Sequence, residues 1–389
     1  MSHYRAAIIG HTGHGNYGHG LDIAFMHFPD IEIIAIADPD EAGRAKVQTL
    51  TGAPTTYADY RTLLEKERPN LVAIAPRFVG DRLAMVEAAA AVGAHMYIEK
   101  PIAASLADAD AMLAACERAH VKMAVAHQGR LHPVALHAMQ LVQQGEIGRL
   151  RLICGVGKMD HRGGGQDLMI LGTHVLDQMR LFGGDATWAS AEILDDARLT
   201  TTADLRPGAE EIAPIAGNGL RATFGFTGVT STGAPRTEGN GVIGHFESYA
   251  GLGEGEDLFG LELVGEKGQL SLRGGLTKRL LRYPRPYIVP GASFDHWESI
   301  TTPNVEPGDV PGEEIDGATL FQRGNRRIIA DLLDAIENDR EPAGSGQRAR
   351  AALELIQAIA AAHVNGGRIP LPLQQRAHPF IQAQGRTRQ

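Results

Sequence analysis

Five continuously apolar runs recur along the first 125 residues: "YRAAIIG", "IEIIAIADPD", "LVAIAP", "AHMYIEKP" and "VKMAVAHQ". A strand that is apolar on both sides must be covered on both faces, which is the condition of a parallel sheet. Amphipathic stretches of helical spacing fall between the runs: Leu21–Phe28, "EAGRAKVQTL", "DRLAMVEAAAAVG" and "SLADADAMLAACERAH". The last has Ser105 as its N-cap and Asp108 in its first turn. Strict strand–helix alternation with right-handed crossovers predicts a doubly wound, dinucleotide-binding type of sheet.

The first strand runs into "GHTGHGNYGHG", with five glycines and three histidines between Gly10 and Gly20. Glycines between a strand and a predicted helix let a backbone approach a pyrophosphate, whose charge the helix N–H groups receive. Gly13-His-Gly15-Asn-Tyr-Gly18 is a literal G-x-G-x-x-G, and Gly10 ends the strand, so the loop is about three residues longer than the usual fingerprint. Asp38 ends the second strand 20 residues after Gly18, where an acid accepts from the adenine ribose hydroxyls. "ADPD" offers two acids and no base, which repels a 2′-phosphate, so NAD is preferred over NADP. A metal reading of His11, His14 and His19 lacks a completing ligand set, so no metal is assigned. His11 or His14 is expected to reach the phosphates or the substrate mouth.

After about Ala126 the pattern changes. "VALHAMQLVQQGEIG" reads as one more helix. Strand runs then follow one another, interrupted by the single predicted helix "QDLMILGTHVLDQMRLFGG". That order favours a large, mostly antiparallel open sheet in an α+β domain. Arg206–Asn218 and Ser231–Gly241 read as surface loops, and the C-terminal region returns to helix. The expected domains are 1–126, a Rossmann dinucleotide-binding domain, and 127–389, a substrate-binding and oligomerisation domain.

The net charge of −9 over 389 residues disfavours nucleic acid, which needs a basic stripe. No stretch approaches the length of a membrane span. Two cysteines, Cys116 and Cys154, and a start that reads as a strand point to a reducing cytoplasm.

Glu99-Lys100-Pro101 falls at the carboxyl end of the fourth strand, the ligand-binding edge of an open α/β sheet. Taken with "AAAAVGAHMYIEKPIA", "HQGRLHPV", "QGEIGRLR", "GTHVLDQMRLFGG", "LVGEKGQLSL" and "GGRIPLPL", the chain resembles the glucose–fructose oxidoreductase / inositol dehydrogenase (Gfo/Idh/MocA) family. The resemblance implies a two-domain oxidoreductase that exchanges hydride between NAD and a secondary hydroxyl or ketone of a sugar, inositol or related cyclic polyol. It also implies a homo-oligomer, dimer or tetramer. The alternatives are a non-catalytic or sensor-type NAD(H) binder and a reductase of another carbonyl or imine. The cofactor residues are then Gly10, Thr12, Gly13, His14, Gly15, Gly18, Asp38, Pro76, Glu99 and Lys100.

The family places Asp and His four apart as D-x-G-x-H. This chain has Gly172 and His174 but Ile170 at the Asp position. Lys100 and His174 are therefore taken as the proton-handling pair. On a continuous helix Asp167 lies about 10 Å along the axis from His174, on the same face, and is taken as a substrate contact. Asp160, His161 and Arg162, before three glycines, and Arg130 are the further substrate residues.

Overall fold

The computed structural model describes residues 4–229, 241–253, 259–273, 279–285, 296–302 and 317–387. The expected loop segment 231–240 lies outside them. The chain divides into two compact units. The first gathers the described residues of 1–131, 208–213 and 316–350, and the second the rest.

The first unit holds six parallel strands: β1 (Tyr4–Ile9), β2 (Ile31–Ala37), β3 (Thr55–Tyr57), β4 (Leu71–Ile74), β5 (His95–Ile98) and β6 (Met123–Val125). Their order is β3-β2-β1-β4-β5-β6. It reverses between β1 and β4, and that switch point is where an α/β sheet opens a crevice beyond its strand ends. The helices are α1 (Glu41–Thr51), α2 (Tyr60–Glu67), α3 (Arg82–Ala91) and α4 (Leu106–Ala119). Each of α1, α2 and α4 starts at a side-chain cap. Ser105 Oγ accepts from the Asp108 amide at 3.1 Å, as the sequence predicts.

No α-helix joins β1 to β2. Instead of the helix expected over Leu21–Phe28, Gly18–Gly20 form a 3₁₀ turn. Single turns follow, with Ile23 N–H donating to Gly20, Met26 to Ile23 and Phe28 to Phe25. Left-handed His19 (φ 45°) and Gly20 (φ 75°) break the helical path at its start. Leu21, Ala24 and Phe25 are nevertheless buried, sharing one core with Ile328, Ile329 and Leu332. Those three belong to α8 (Gly317–Glu337), far along the chain.

The second unit begins with α5 (Pro133–Gln143) and β7 (Leu150–Val156), then α6 (Gly165–Ile170) and α7 (Gly172–Gly183). The strands β8 (Ala186–Asp195), β9 (Arg198–Leu199), β10 (Gly219–Phe226), β11 (Val242–Tyr249), β12 (Gly260–Gly265), β13 (Gln269–Arg273), β14 (Arg279–Tyr283) and β15 (Glu298–Ser299) follow. Most of α9 (Gly346–Asn365), β16 (Ile369–Pro370) and α10 (Pro379–Thr387) complete it. The sheet runs β15-β14-β13-β12-β7-β11-β10-β8-β16, with β9 paired to β8. Only β7 with β11 is parallel among these pairs. One face packs on Val175, Leu176 and Met179 of α7, all buried. The single helix expected over 166–184 is two, because Leu171 (φ −120°, ψ −37°) departs from helical geometry between α6 and α7.

Candidate active site

The glycine loop closes on the switch point. Gly18 N–H donates to Ala75 O at 2.8 Å, and Arg77 N–H donates to Gly15 O at 3.1 Å. Gly15 sits at φ 88°, and a Cβ there would stand 2.7 Å from the amides of Arg77 and Phe78, so only glycine fits. Because no helix follows the loop, the expected helix N-terminus for the pyrophosphate is absent, and any anion must be held by loop amides and side chains.

Asp38 is fully buried. Its carboxylate accepts from Thr12 N–H at 3.1 Å, Thr12 Oγ1 at 2.7 Å and Asp40 N–H at 2.9 Å. The acid expected to meet the ribose thus also fastens the loop. A base stands nearby that the short motif "ADPD" does not reveal, since Arg44 Nη1 donates to the Asp38 carbonyl at 2.6 Å. The Tyr17 ring covers Gly10, whose Cβ would meet it at 2.0 Å. Burial, then the neighbouring Asp38 charge, pushes the Tyr17 phenol far above its ordinary pKa.

Of the three histidines, His14 Nε2 lies 3.1 Å from Glu211 Oε1. Its ring meets Phe78 edge-on, with centroids 4.3 Å apart, and His11 at 4.8 Å. His19, the one the sequence reading set aside, donates from Nδ1 to Glu99 Oε1 at 2.5 Å. Gly18 makes room for this pair, since a Cβ there would stand 2.7 Å from the Glu99 carboxyl carbon.

Lys100 is 2% exposed, just past the carboxyl end of β5 and joined to Pro101 by a cis peptide. Burial pushes its pKa below the ordinary lysine value, while the charges of Glu99 and Glu210 hold it up. For Glu99 burial acts upward, but His19, Lys100 and Arg82 together hold its carboxyl below the ordinary value. Arg82, at the head of α3, follows the third of the apolar runs at the cofactor edge and takes no role from sequence. It is 1% exposed, and its guanidinium donates to the carbonyls of Pro76 and Pro101, tying the ends of β4 and β5 together. Burial brings its pKa down to about 10, so it stays charged at neutral pH.

The segment 208–213, read from sequence as part of a surface loop, belongs to this unit. Glu210 O accepts from Val79 N–H at 3.2 Å, and Glu210 Oε1 lies 3.4 Å from Arg77 Nε. Arg130 is 3% exposed, in the 3₁₀ turn Gln128–Leu131.

In the second unit Asp167 is completely buried on α6. Its Oδ2 accepts from Lys158 N–H and Ser248 Oγ, both at 2.9 Å. Its Oδ1 has no hydrogen-bond partner among the described residues. Burial raises its pKa to about 6. Arg162 folds back on Asp160, Nη2 to Oδ2 at 2.5 Å, and that bond holds Asp160 well below the ordinary carboxylate value. The His161 side chain is 87% exposed, its Nδ1 3.9 Å from Asp160 Oδ1. His174 is half-buried in the first turn of α7, across the break from Asp167 and Ile170. The straight-helix spacing of about 10 Å expected between Asp167 and His174 therefore does not apply.

The first unit fits a dinucleotide. Gly13 has open space where a Cβ would be, and Glu99 Oε2 is a buried acceptor without a partner among the described residues. An orphaned buried oxygen is a demand for a ligand donor. Among the described residues no three His, Cys, Asp or Glu side chains are arranged to hold a metal. No described helix is long and apolar enough to cross a membrane.

The parallel sheet, its glycine loop and the buried strand-end lysine define the class, a Rossmann-type oxidoreductase fold with a second, mixed-sheet unit. The family follows from comparison. Residues 4–127 match the Gfo/Idh/MocA model, described as an oxidoreductase family with an NAD-binding Rossmann fold, and that segment belongs to the family. The chain is 29% identical over 205 residues to D-apiose dehydrogenase of Paraburkholderia graminis, covering 49% of this chain and 52% of that protein. It is 32% identical over 183 residues to D-xylose 1-dehydrogenase (NADP(+)) 2 of Haloferax volcanii, covering 44% and 56%. The chain thus spans about half the length of these relatives. In fold it matches an oxidoreductase from Agrobacterium radiobacter, solved with NAD+, L-tartaric acid and magnesium. That match has a TM-score of 0.70 and 19% identity, over 95% of this chain and 98% of the other. The apo form of levoglucosan dehydrogenase matches at a TM-score of 0.72 and 19% identity, over 96% and 100%.

Proposed function

We propose that this protein is an NAD-dependent oxidoreductase of sugars, inositols or related cyclic polyols, exchanging hydride at a secondary hydroxyl or ketone. The observation that carries this reading is Lys100, buried at the carboxyl edge of the Rossmann sheet with its proton affinity lowered. The sugar-dehydrogenase relatives support the substrate class.

Residues 1–126 would hold NAD through Gly10, Thr12, Gly13, His14, Gly15, Gly18, Asp38, Pro76 and Glu99. When bound, NAD supplies the hydride acceptor. In the oxidising direction the substrate hydroxyl gives its proton to Lys100 Nζ, whose unprotonated form burial favours. His174 is the second proton-handling group, and Asp160, His161, Arg162, Asp167 and Arg130 are the substrate contacts. Residues 127–389 would carry most of these contacts and the surface of a homo-oligomer. Both cysteines are free, in keeping with a cytoplasmic site of action.

The test is NADH binding followed by fluorescence, with a panel of sugars and polyols assayed for NAD reduction. Turnover on a sugar or polyol that Lys100→Ala lowers at least a hundredfold is the expected result. Binding of NADH with no turnover on the panel, or on carbonyl and imine substrates in reverse, would mark a non-catalytic binder instead. An unimpaired Lys100→Ala enzyme would remove Lys100 from the mechanism.

A further inference from the structure

His19 is held from three sides. Its backbone is left-handed, at φ 45° and ψ 32°, a conformation unfavourable for a non-glycine residue. Its carbonyl accepts from Asn325 Nδ2 at 2.9 Å. Asn325 is fully buried on α8, and its Oδ1 accepts from Tyr97 Oη at 2.7 Å and Gln128 Nε2 at 3.0 Å. The imidazole rests against the Phe321 ring, with centroids 4.8 Å apart. All this fixes one contact, Nδ1 to Glu99 Oε1 at 2.5 Å. The Glu99 side chain has no solvent exposure, whereas that of His19 is 18% exposed. Strain retained at a residue so firmly held marks a functional constraint.

Among the described residues, the titratable and charged groups that face Glu99 and Lys100 include His19 from the 3₁₀ turn, Tyr97 on β5, Arg77 and Arg82 after β4, and Glu210 from the 208–213 segment. A buried carboxylate keeps its charge only while donors and cations hold it. Lys100 in turn feels that charge as its largest electrostatic support against burial.

We propose that His19 is a positioning residue for Lys100: by donating to Glu99 it keeps that carboxylate ionised and aimed, and so sets the pH at which Lys100 releases its proton. In this arrangement the last glycine of the G-x-G-x-x-G motif has a second purpose, since Gly18 is what lets His19 and Glu99 meet. The inference deepens the proposed function and rests on it only where turnover is read.

The sign follows from the charges. Without His19 the Glu99 carboxyl gains proton affinity, loses charge and withdraws its support, so Lys100 releases its proton at lower pH. The chain has seven lysines, few enough for a titration by NMR of ε-¹³C-lysine protein, with Lys100 assigned through Lys100→Arg. In His19→Ala the Lys100 midpoint should fall by about one pH unit. His19→Asn, which can place a donating nitrogen near the position of Nδ1, should restore most of that shift. The acid limb of kcat/KM for polyol oxidation should move down in pH with it, while NADH still binds. A Lys100 midpoint unmoved in both variants overturns the proposal. If His19→Ala does not fold, His19→Leu, which cannot donate, against His19→Asn carries the comparison: a fall in His19→Leu that His19→Asn largely lacks supports it, and equal midpoints refute it. A moved midpoint in a protein that turns over no polyol leaves the His19 linkage standing and removes the enzymatic reading. Turnover with a fixed midpoint does the reverse.

Discussion

Asp167 shows how a residue legible as chemistry can still carry a charge state that sequence does not give. A carboxyl whose folded pKa stands at about 6, above its unfolded value, binds more protons folded than unfolded between the two. Stability therefore falls as pH rises from about 4 to 6 and then levels, a penalty of about 3 kcal/mol for this group. In Asp167→Asn the amide oxygen can still accept from Lys158 N–H and Ser248 Oγ. Urea denaturation should show the variant gaining on wild type by that amount between pH 4 and pH 7. A constant difference across the range would contradict it. Arg82 is the opposite case. Its two prolyl carbonyls would lose their donor, and Glu99 one of the cations that hold it, in Arg82→Met, which should lose about 3 kcal/mol, visible as a lowered Tm. Lys100 and Asp38 were legible because strand ends and glycine spacing mark them. Arg82 and His19 were not, because the Glu99 carboxylate that both face lies 17 or more positions from each and only packing brings it near.

At the scale of elements, alternation gave five of the six parallel strands and left the short edge strand β3 unread, and the run of strands after Ala126 gave the second, mostly antiparallel sheet. Two helices were read wrongly, for local reasons. Leu21–Phe28 has apolar residues at helical spacing, but left-handed His19 and Gly20 precede it, and the turns bury those same residues against α8. The stretch 166–183 keeps its apolar periodicity through a break at Leu171, so Gly172, directly after it, reads as lying inside one helix. The position of α7, and with it His174, depends on close approach to β7. A Cβ on Gly155 would stand 2.7 Å from Met179 Sδ and 2.9 Å from Val175 Cγ1. Gly155→Val should therefore displace α7 and cost about 1–3 kcal/mol. Chemical denaturation reads the cost, and a loss of turnover exceeding that in Gly367→Ala, where no atom lies within 4 Å, reads the displacement.

At the scale of the whole molecule, the face of the second sheet away from α7 carries cross-strand polar rows. Arg221 stands opposite Glu192 and Glu247, and Thr223 opposite Ser190 and His245. A hollow of about 550 Å³ lies along these rows. This is the surface on which the proposed homo-oligomer would form. Sedimentation at micromolar concentration should give a dimer or tetramer. Arg221→Glu, which sets like charges beside Glu192 and Glu247, should shift it toward monomer. A wild-type monomer at every concentration would remove the oligomer from the proposal.

Sequence by itself determined the parallel sheet, the strand-end lysine, the acid closing β2 and the order of the two sheets, because periodicity and glycine or proline positions act within a few residues. Only the tertiary structure decided that 208–213 and 316–350 join the first unit, that Thr12 fastens Asp38, and that His19 meets Glu99. Those contacts join residues from 26 to more than 300 positions apart, and no local pattern encodes them. They form because a buried carboxylate must find donors, and the fold brings these within reach.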